Sequence, residues 1–290
     1  MSVYASFDQA TLDREYSPSS CVDDINVYLD QYRDVSGQVK KTTLEDTSCH
    51  ADLAYGPSDD ERLDLYVPVV ADCAPLQVFI HGGYWQALSK EDSAFAAPMF
   101  QESGSFFAAI DHTLAPEAGL TEIVDQNRRA IAWLYKQAGE WGYDRDRIFL
   151  SGSSAGAHLA MMMLLTDWSQ YGVPNDVVKG VCAVSGIYDL EPIRLSYVNE
   201  VLGMDSQEAR INSPLFHPIQ NHCPIIFAHG DNETAEFKRQ TEAYRDLLTR
   251  SGEEICFGEI SERNHFDVIM DLANPTTWLA QQILKQMGLI

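Results

Sequence analysis

The chain has 290 residues, of which 45% are hydrophobic, so it can bury a large apolar core. Its 43 acidic and 20 basic residues give a formal net charge of −23. A field of that sign repels phosphate backbones and anionic lipid surfaces, so we expect neither nucleic acid nor a membrane as a partner. No apolar run approaches the length of a membrane-spanning helix, and the first residues lack the pattern of a signal peptide.

Short apolar runs alternate with longer amphipathic stretches, and these two patterns predict strands and helices respectively. In chain order, the predicted strands are 62–69, 76–83, 105–112, 147–152, 178–186, 224–230 and 254–260, and the predicted helices are 120–140, 155–166, 235–250 and 276–287. This alternation predicts an α/β fold, a mostly parallel central sheet with helices on both faces. Active sites in such sheets lie at the carboxyl ends of the strands.

Two stretches fit the alternation poorly, 1–60 and 187–222. The first is polar and broken by glycine and proline, and the second holds three prolines with weak periodicity. Both are candidates for a small cap over the carboxyl edge of the sheet. No linker divides the chain, so we expect a single domain over 1–290.

A glycine-flanked serine follows the predicted strand 147–152. Residues 152–156 read Gly-Ser-Ser-Ala-Gly, which matches G-x-S-x-G between a strand and a helix. The sharp turn of this motif presents the central serine, Ser154, as a nucleophile, whereas Ser153 occupies the wrong position. The N–H of Ala155, first in the new helix, can bind a developing oxyanion.

A serine nucleophile needs a histidine base, and in this fold the chain order is serine, acid, histidine. Five histidines follow Ser154, and His265 alone also follows the candidate acids after the strand 224–230. His265 comes just after the last apolar run, where a loop can carry it over the sheet. It is therefore the predicted general base.

The acid has three candidates. Glu233 lies three residues after Gly230, the spacing typical of hydrolases with this fold, whereas Asp231 follows the glycine directly. Asp189 follows an earlier strand and is the third choice. We assign Glu233 and keep Asp231 as the alternative.

A second glycine cluster, His-Gly-Gly-Tyr-Trp at 81–85, follows the buried strand 76–83. HGGG-type segments supply oxyanion donors in lipases and esterases, so Gly83 and Tyr84 are predicted to donate together with Ala155. A plain strand-to-loop turn is the simpler alternative. Trp85 either walls a pocket for a flat substrate or anchors the loop in the core, and we assign it to the substrate pocket.

The remaining patterns indicate which cofactors and which cellular compartment to expect. The six cysteines are scattered without a Cys-x-x-Cys pair, which favours free thiols in the cytoplasm over disulfides. The sequence lacks a P-loop and a His-Glu-x-x-His pair, so we expect neither a metal nor a cofactor. A homodimer is one arrangement that the sequence permits.

Longer motifs than these carry a family resemblance. The segments REYSPS, FIHGGYWQ, SGSSAGAHLAMMMLLTDW, VSGIYDLEPI and NHF resemble kynurenine formamidase (arylformamidase) of the serine-hydrolase type, within the α/β-hydrolase superfamily. The resemblance implies the triad Ser154, acid, His265. It also implies hydrolysis of N-formyl-L-kynurenine to L-kynurenine and formate, a step of tryptophan breakdown. Animal members carry aspartate where this chain has Glu233.

Other functions are compatible with the same residues. A short-chain carboxylesterase, or a hydrolase of other aryl amides or carbamates, would use the same acyl-Ser154 chemistry on a small-molecule amide or ester. A hydrolase-fold binding protein without activity is the alternative from another class. Such proteins usually lack a triad member, and this chain offers all three.

Overall fold

The computed structural model describes residues 2–70 and 73–290. Its strands are β1 (Cys49–Ala54), β2 (Arg62–Tyr66), β3 (Ala74–Ile80), β4 (Phe106–Ile110), β5 (Tyr143–Ser153), β6 (Val178–Val184), β7 (Ile225–Asn232) and β8 (Ile255–Asn264). Its α-helices are α1 (Gln9–Glu15), α2 (Asn26–Glu45), α3 (Ala97–Glu102), α4 (Leu120–Trp141), α5 (Ala155–Leu164), α6 (Glu191–Leu195), α7 (Asn199–Leu202), α8 (Ser206–Ile211), α9 (Ala235–Arg250) and α10 (Trp278–Gln286). Short 3₁₀ turns lie at Pro18–Cys21, Lys90–Asp92, Ala94–Ala96, Trp168–Tyr171, Pro214–Phe216 and Val268–Ala273.

In this described part of the chain the strands form one sheet in the order β1-β2-β4-β3-β5-β6-β7-β8. β2 pairs antiparallel with both β1 and β4, and every pair from β4 to β8 is parallel. The predicted α/β fold with a mostly parallel sheet is therefore confirmed. Because parallel strands end at the same edge, the segments after β3, β5, β6, β7 and β8 are brought together there.

The sheet is buried on both faces, and strand β3 shows how. Leu76, Val78 and Ile80 join the core under α4, α5 and α9, whereas Phe79 joins the core under α3 and α10. This is the period-2 alternation of a strand between two helical layers. None of the helices described has both the length and the apolarity needed to cross a bilayer.

The two poorly patterned stretches lie against each other at the carboxyl edge. The side chain of Gln9 in α1 donates to the carbonyl of Leu195, at 2.9 Å, and the N–H of Tyr197 donates to Asp13, also at 2.9 Å. The hydroxyl of Thr234 ties the end of α1 to the segment after β7, through the carbonyl of Glu15 at 2.6 Å. Helix α2 and the edge strand β1, within 1–60, were not among the predicted elements.

Candidate active site

Ser154 occupies a strained turn between β5 and α5. Its φ and ψ are 57° and −118°, a left-handed backbone conformation that costs a residue with a side chain about 1–3 kcal/mol. The turn is held by the N–H of Ser154, which donates to the carbonyl of Val184 in β6 at 2.8 Å. Such strain persists only where the surrounding structure over-determines it.

Gly152 and Gly156, two residues on either side of Ser154, make this turn possible. A Cβ added to Gly156 would lie 2.0 Å from the carbonyl oxygen of Ile80, at the end of β3. A Cβ added to Gly152 would lie 2.4 Å from the backbone carbon of Gly156. The start of α5 therefore packs directly on the backbone of the central strands, and no larger residue fits at either position.

His265 and Glu233 form a buried hydrogen-bonded pair at the same edge. His265 follows β8, and its Nδ1 lies 2.8 Å from Oε2 of Glu233 at the end of β7. Because Nδ1 is engaged with the carboxylate, Nε2 is the ring atom left to exchange a proton with a nucleophile. Ser154 and His265 both line one cavity of about 460 Å³.

The other carboxylate oxygen of Glu233 is also held. Oε1 accepts hydrogen bonds from the hydroxyl of Ser185 at 2.6 Å and from the N–H of Gly230 at 2.7 Å. Burial acts to raise the pKa of Glu233, but attraction to His265 and the hydrogen bonds from His265, Ser185 and Gly230 hold that pKa below its ordinary value. Glu233 is therefore an ionised carboxylate that can orient His265 and stabilise its cation.

The structure brings Glu233, and neither alternative acid, to His265. Asp231 is exposed, and its carboxylate accepts from the N–H of Arg263 at 3.3 Å. Asp189 lies under the N-terminal segment, where it accepts from the hydroxyl of Tyr4 at 3.3 Å.

The loop after β3 runs beside the nucleophile. A Cβ on Gly82 would lie 3.5 Å from the Cβ of Ser154, and the next residues, Gly83 and Tyr84, line the cavity with φ of 93° and 52°. Within residues 2–70 and 73–290, the backbone N–H groups of Gly83, Tyr84 and Ala155 donate to no protein acceptor. Three free donors beside Ser154 are what an oxyanion hole requires.

The structure places the Trp85 side chain in the core rather than at the substrate pocket to which the sequence assigned it. Trp85 is completely buried, and its ring packs edge-on against His158 with centroids 5.0 Å apart. Trp85 does not line the cavity, whereas its neighbour Tyr84 does. The aromatic walls are built instead by Tyr32, Phe79, Tyr84, Phe95, Tyr197 and Phe266.

Two contributors to the site were missed at the level of sequence. Ser185 directly follows β6 with a φ of 52°, but it lies inside the predicted strand 178–186, so the rule that selects residues after each predicted strand passed over it. The N-terminal segment supplies cavity residues from Pro18 to Tyr32, and no motif indicated which of them face the site. Among the residues described, no three His, Cys, Asp or Glu side chains come together as metal ligands do.

The sheet order, the turn at Ser154 and the His265–Glu233 pair define the chain as an α/β-hydrolase of the serine-hydrolase type. The BD-FAE family model matches residues 63–248. Kynurenine formamidase from Danio rerio is 35% identical over 99% of both chains, and that from Salmo salar is 35% identical over the same shares. The crystal structure of a protein from Silicibacter sp. TM1040 superposes on this chain with a TM-score of 0.81. The two are 26% identical, and the superposition covers 93% of this chain and 97% of that one. The chain belongs to the kynurenine formamidase family.

Proposed function

We propose that the protein hydrolyses an aryl formamide, N-formyl-L-kynurenine, to L-kynurenine and formate. The observation that carries the chemistry is the 2.8 Å contact of His265 with Glu233, together with the aromatic-lined cavity that both His265 and Ser154 line. The substrate is inferred from the vertebrate kynurenine formamidases that match the whole chain.

The first half of the reaction forms a formyl-enzyme. Nε2 of His265 takes the hydroxyl proton of Ser154, and Oγ attacks the formyl carbon. The N–H groups of Gly83, Tyr84 and Ala155 donate to the oxyanion that develops. His265 then protonates the aryl nitrogen, the C–N bond breaks and the aryl amine leaves.

The second half releases formate. His265 takes a proton from water as the water attacks the formyl ester, and it returns that proton to Ser154 Oγ as the C–O bond breaks. Glu233 stays ionised throughout, and its charge stabilises the imidazolium that forms in each half. A location in the cytoplasm and a homodimeric assembly belong to this proposal as further expectations.

A substrate comparison tests the proposal. We expect kcat/KM for N-formyl-L-kynurenine to exceed that for p-nitrophenyl acetate and for an aryl carbamate by tenfold or more. A large preference for the simple ester would instead assign the site to a short-chain carboxylesterase. Failure of a serine-directed phosphonate to label Ser154, together with no turnover of any of the three substrates, would identify a non-catalytic binding protein.

A further inference from the structure

The charge of the cavity wall is one-sided. Among the described residues that line the cavity, Asp92 is the one carboxylate, and no lysine or arginine lines it. The rest of the wall is apolar, aromatic or neutral polar apart from the histidines His81 and His265. A cavity of this kind favours a ligand that carries a positive group over one that carries only a negative group.

Asp92 is fixed by one of its two carboxylate oxygens. It ends the 3₁₀ turn Lys90–Asp92, where Oδ2 accepts from the N–H of Ser89 at 3.1 Å and from the Ser89 hydroxyl at 3.2 Å. In the described part of the chain, Oδ1 has no hydrogen-bond partner and the carboxylate forms no ion pair. One oxygen is thus positioned by the protein and the other is left for a ligand.

The turn that carries Asp92 is anchored to the sheet by Lys90. The ammonium of Lys90 lies 3.1 Å from the fully buried carboxylate of Asp64 in β2 and 2.7 Å from Asp52 in β1. Its cation is therefore committed to carboxylates outside the cavity lining and leaves the charge of Asp92 uncompensated. A preorganised, unpaired carboxylate in a largely apolar wall is a strong acceptor for an ammonium group.

We propose that Asp92 binds the α-ammonium group of the substrate, so that the site selects aryl formamides with a cationic amino group. The inference rests on the proposed function, since it names the part of the substrate that the cavity recognises besides the formamide. Gln86 also lines the cavity, and its carboxamide has no hydrogen-bond partner among the described residues, so it is available to the substrate carboxylate as a neutral donor.

Three substrates separate the ammonium from the rest of the molecule. They are N-formyl-L-kynurenine, 4-(2-formamidophenyl)-4-oxobutanoate, which lacks the ammonium, and 2′-formamidoacetophenone, which carries neither charge. We expect the wild type to favour the first over the second by tenfold or more in kcat/KM, because a hydrogen bond between charged groups contributes enough binding free energy for a tenfold change.

The variant Asp92→Asn removes the charge with little change of shape. We expect kcat/KM for N-formyl-L-kynurenine to fall about 10- to 100-fold, mainly through KM, because the contact is present in the ground state as well as the transition state. Turnover of the acid that lacks the ammonium should rise, and turnover of the neutral ketone should stay within about threefold. Asp34→Asn, the same substitution at an exposed aspartate of α2 that does not line the cavity, is the matched control and should leave all three within about threefold.

Equal losses on all three substrates, or no preference of the wild type for the ammonium-bearing one, would overturn the assignment of Asp92. The wild-type comparison decides this even if Asp92→Asn fails to fold. Turnover of the neutral ketone tests the formamidase activity separately. If no formamide is cleaved, the assignment is decided by calorimetry, which compares the affinity of L-kynurenine for Ser154→Ala with its affinity for the double variant Ser154→Ala/Asp92→Asn. Equal affinities reject the assignment of Asp92. Tenfold weaker binding to the double variant supports it.

Discussion

Ser185→Ala is the substitution that isolates how tightly the acid must be held. It removes the hydroxyl that donates to Oε1 of Glu233 at 2.6 Å, and it leaves the 2.7 Å hydrogen bond from the Gly230 N–H. Because Ser185 is completely buried, we expect no water to take the place of the removed hydroxyl as a donor to Glu233. The direct contact of Glu233 with His265 stays in place.

The size of the effect follows from the number of donors. A hydrogen bond to a charged group contributes about 1.5–3 kcal/mol, and Oε1 keeps one of its two protein donors. We therefore expect about 1–2 kcal/mol of lost transition-state stabilisation, since the positive charge on His265 develops in the transition state and needs the carboxylate ionised and oriented. This corresponds to a loss of about 5- to 30-fold in kcat/KM.

The assay is steady-state hydrolysis of N-formyl-L-kynurenine at matched concentrations of folded enzyme. Ser105→Ala is the control, because Ser105 is equally buried and its hydroxyl donates to the Pro75 carbonyl at 3.0 Å, at the opposite end of the sheet. The control should lose stability without losing activity per folded molecule. A folded Ser185→Ala enzyme with wild-type kcat/KM would refute the reasoning that links Glu233's donors to catalysis.

Three further predictions follow from the same geometry. Glu233→Ala should lower kcat about 10³-fold and Asp231→Ala less than threefold, and comparable losses would reject Glu233 as the acid. Gly156→Ala should lower the unfolding free energy, measured by urea titration, by about 1–3 kcal/mol. Gly139→Ala, at an exposed position of α4 with open space around it, should raise the unfolding free energy by about 0.5–1 kcal/mol. Equal effects of the two substitutions would contradict the close packing of Gly156 on β3. Because the pKa of Glu233 is lowered on folding, the ionised carboxylate adds to the free energy of unfolding at pH values above its ordinary pKa of 4.5. This contribution is lost as the pH falls through the lowered pKa of the folded state. Wild type should lose more stability than Glu233→Gln between pH 6 and pH 3, and parallel pH profiles would show that the pKa is not lowered.

The central sheet and the sharp turn at Ser154 were predictable because both depend on local patterns. Near-continuous apolar runs mark strands with two buried faces, and the glycines around Ser154 leave one way for the backbone to turn. Edge strand β1 was missed because alternate residues of it face solvent, and its register is interrupted between His50 and Leu53. Helix α2 was missed because it has a weak apolar stripe and contains Gly37.

The walls of the cavity could not be predicted from sequence, because they depend on backbone angles and on distant segments. Trp85 lies two residues after Gly83, close to the nucleophile in sequence, yet its side chain is completely buried in the core. Asp92 lies in a three-residue turn, and the position of that turn depends on the ion pair between Lys90 and Asp64 in the distant strand β2. The choice of Glu233 over Asp231 rests on its spacing after Gly230 and on the family resemblance, and the contact with His265 gives it a geometric basis.

The most direct test of the central claim is the rate of N-formyl-L-kynurenine hydrolysis by Ser154→Ala compared with Ser153→Ala. Both serines line the cavity, and only Ser154 stands at the strained turn. We predict that Ser154→Ala loses 10³-fold or more in kcat while its unfolding free energy stays near that of the wild type, and that Ser153→Ala keeps activity within about tenfold. A folded Ser154→Ala enzyme within tenfold of the wild type would contradict the role of Ser154 as nucleophile.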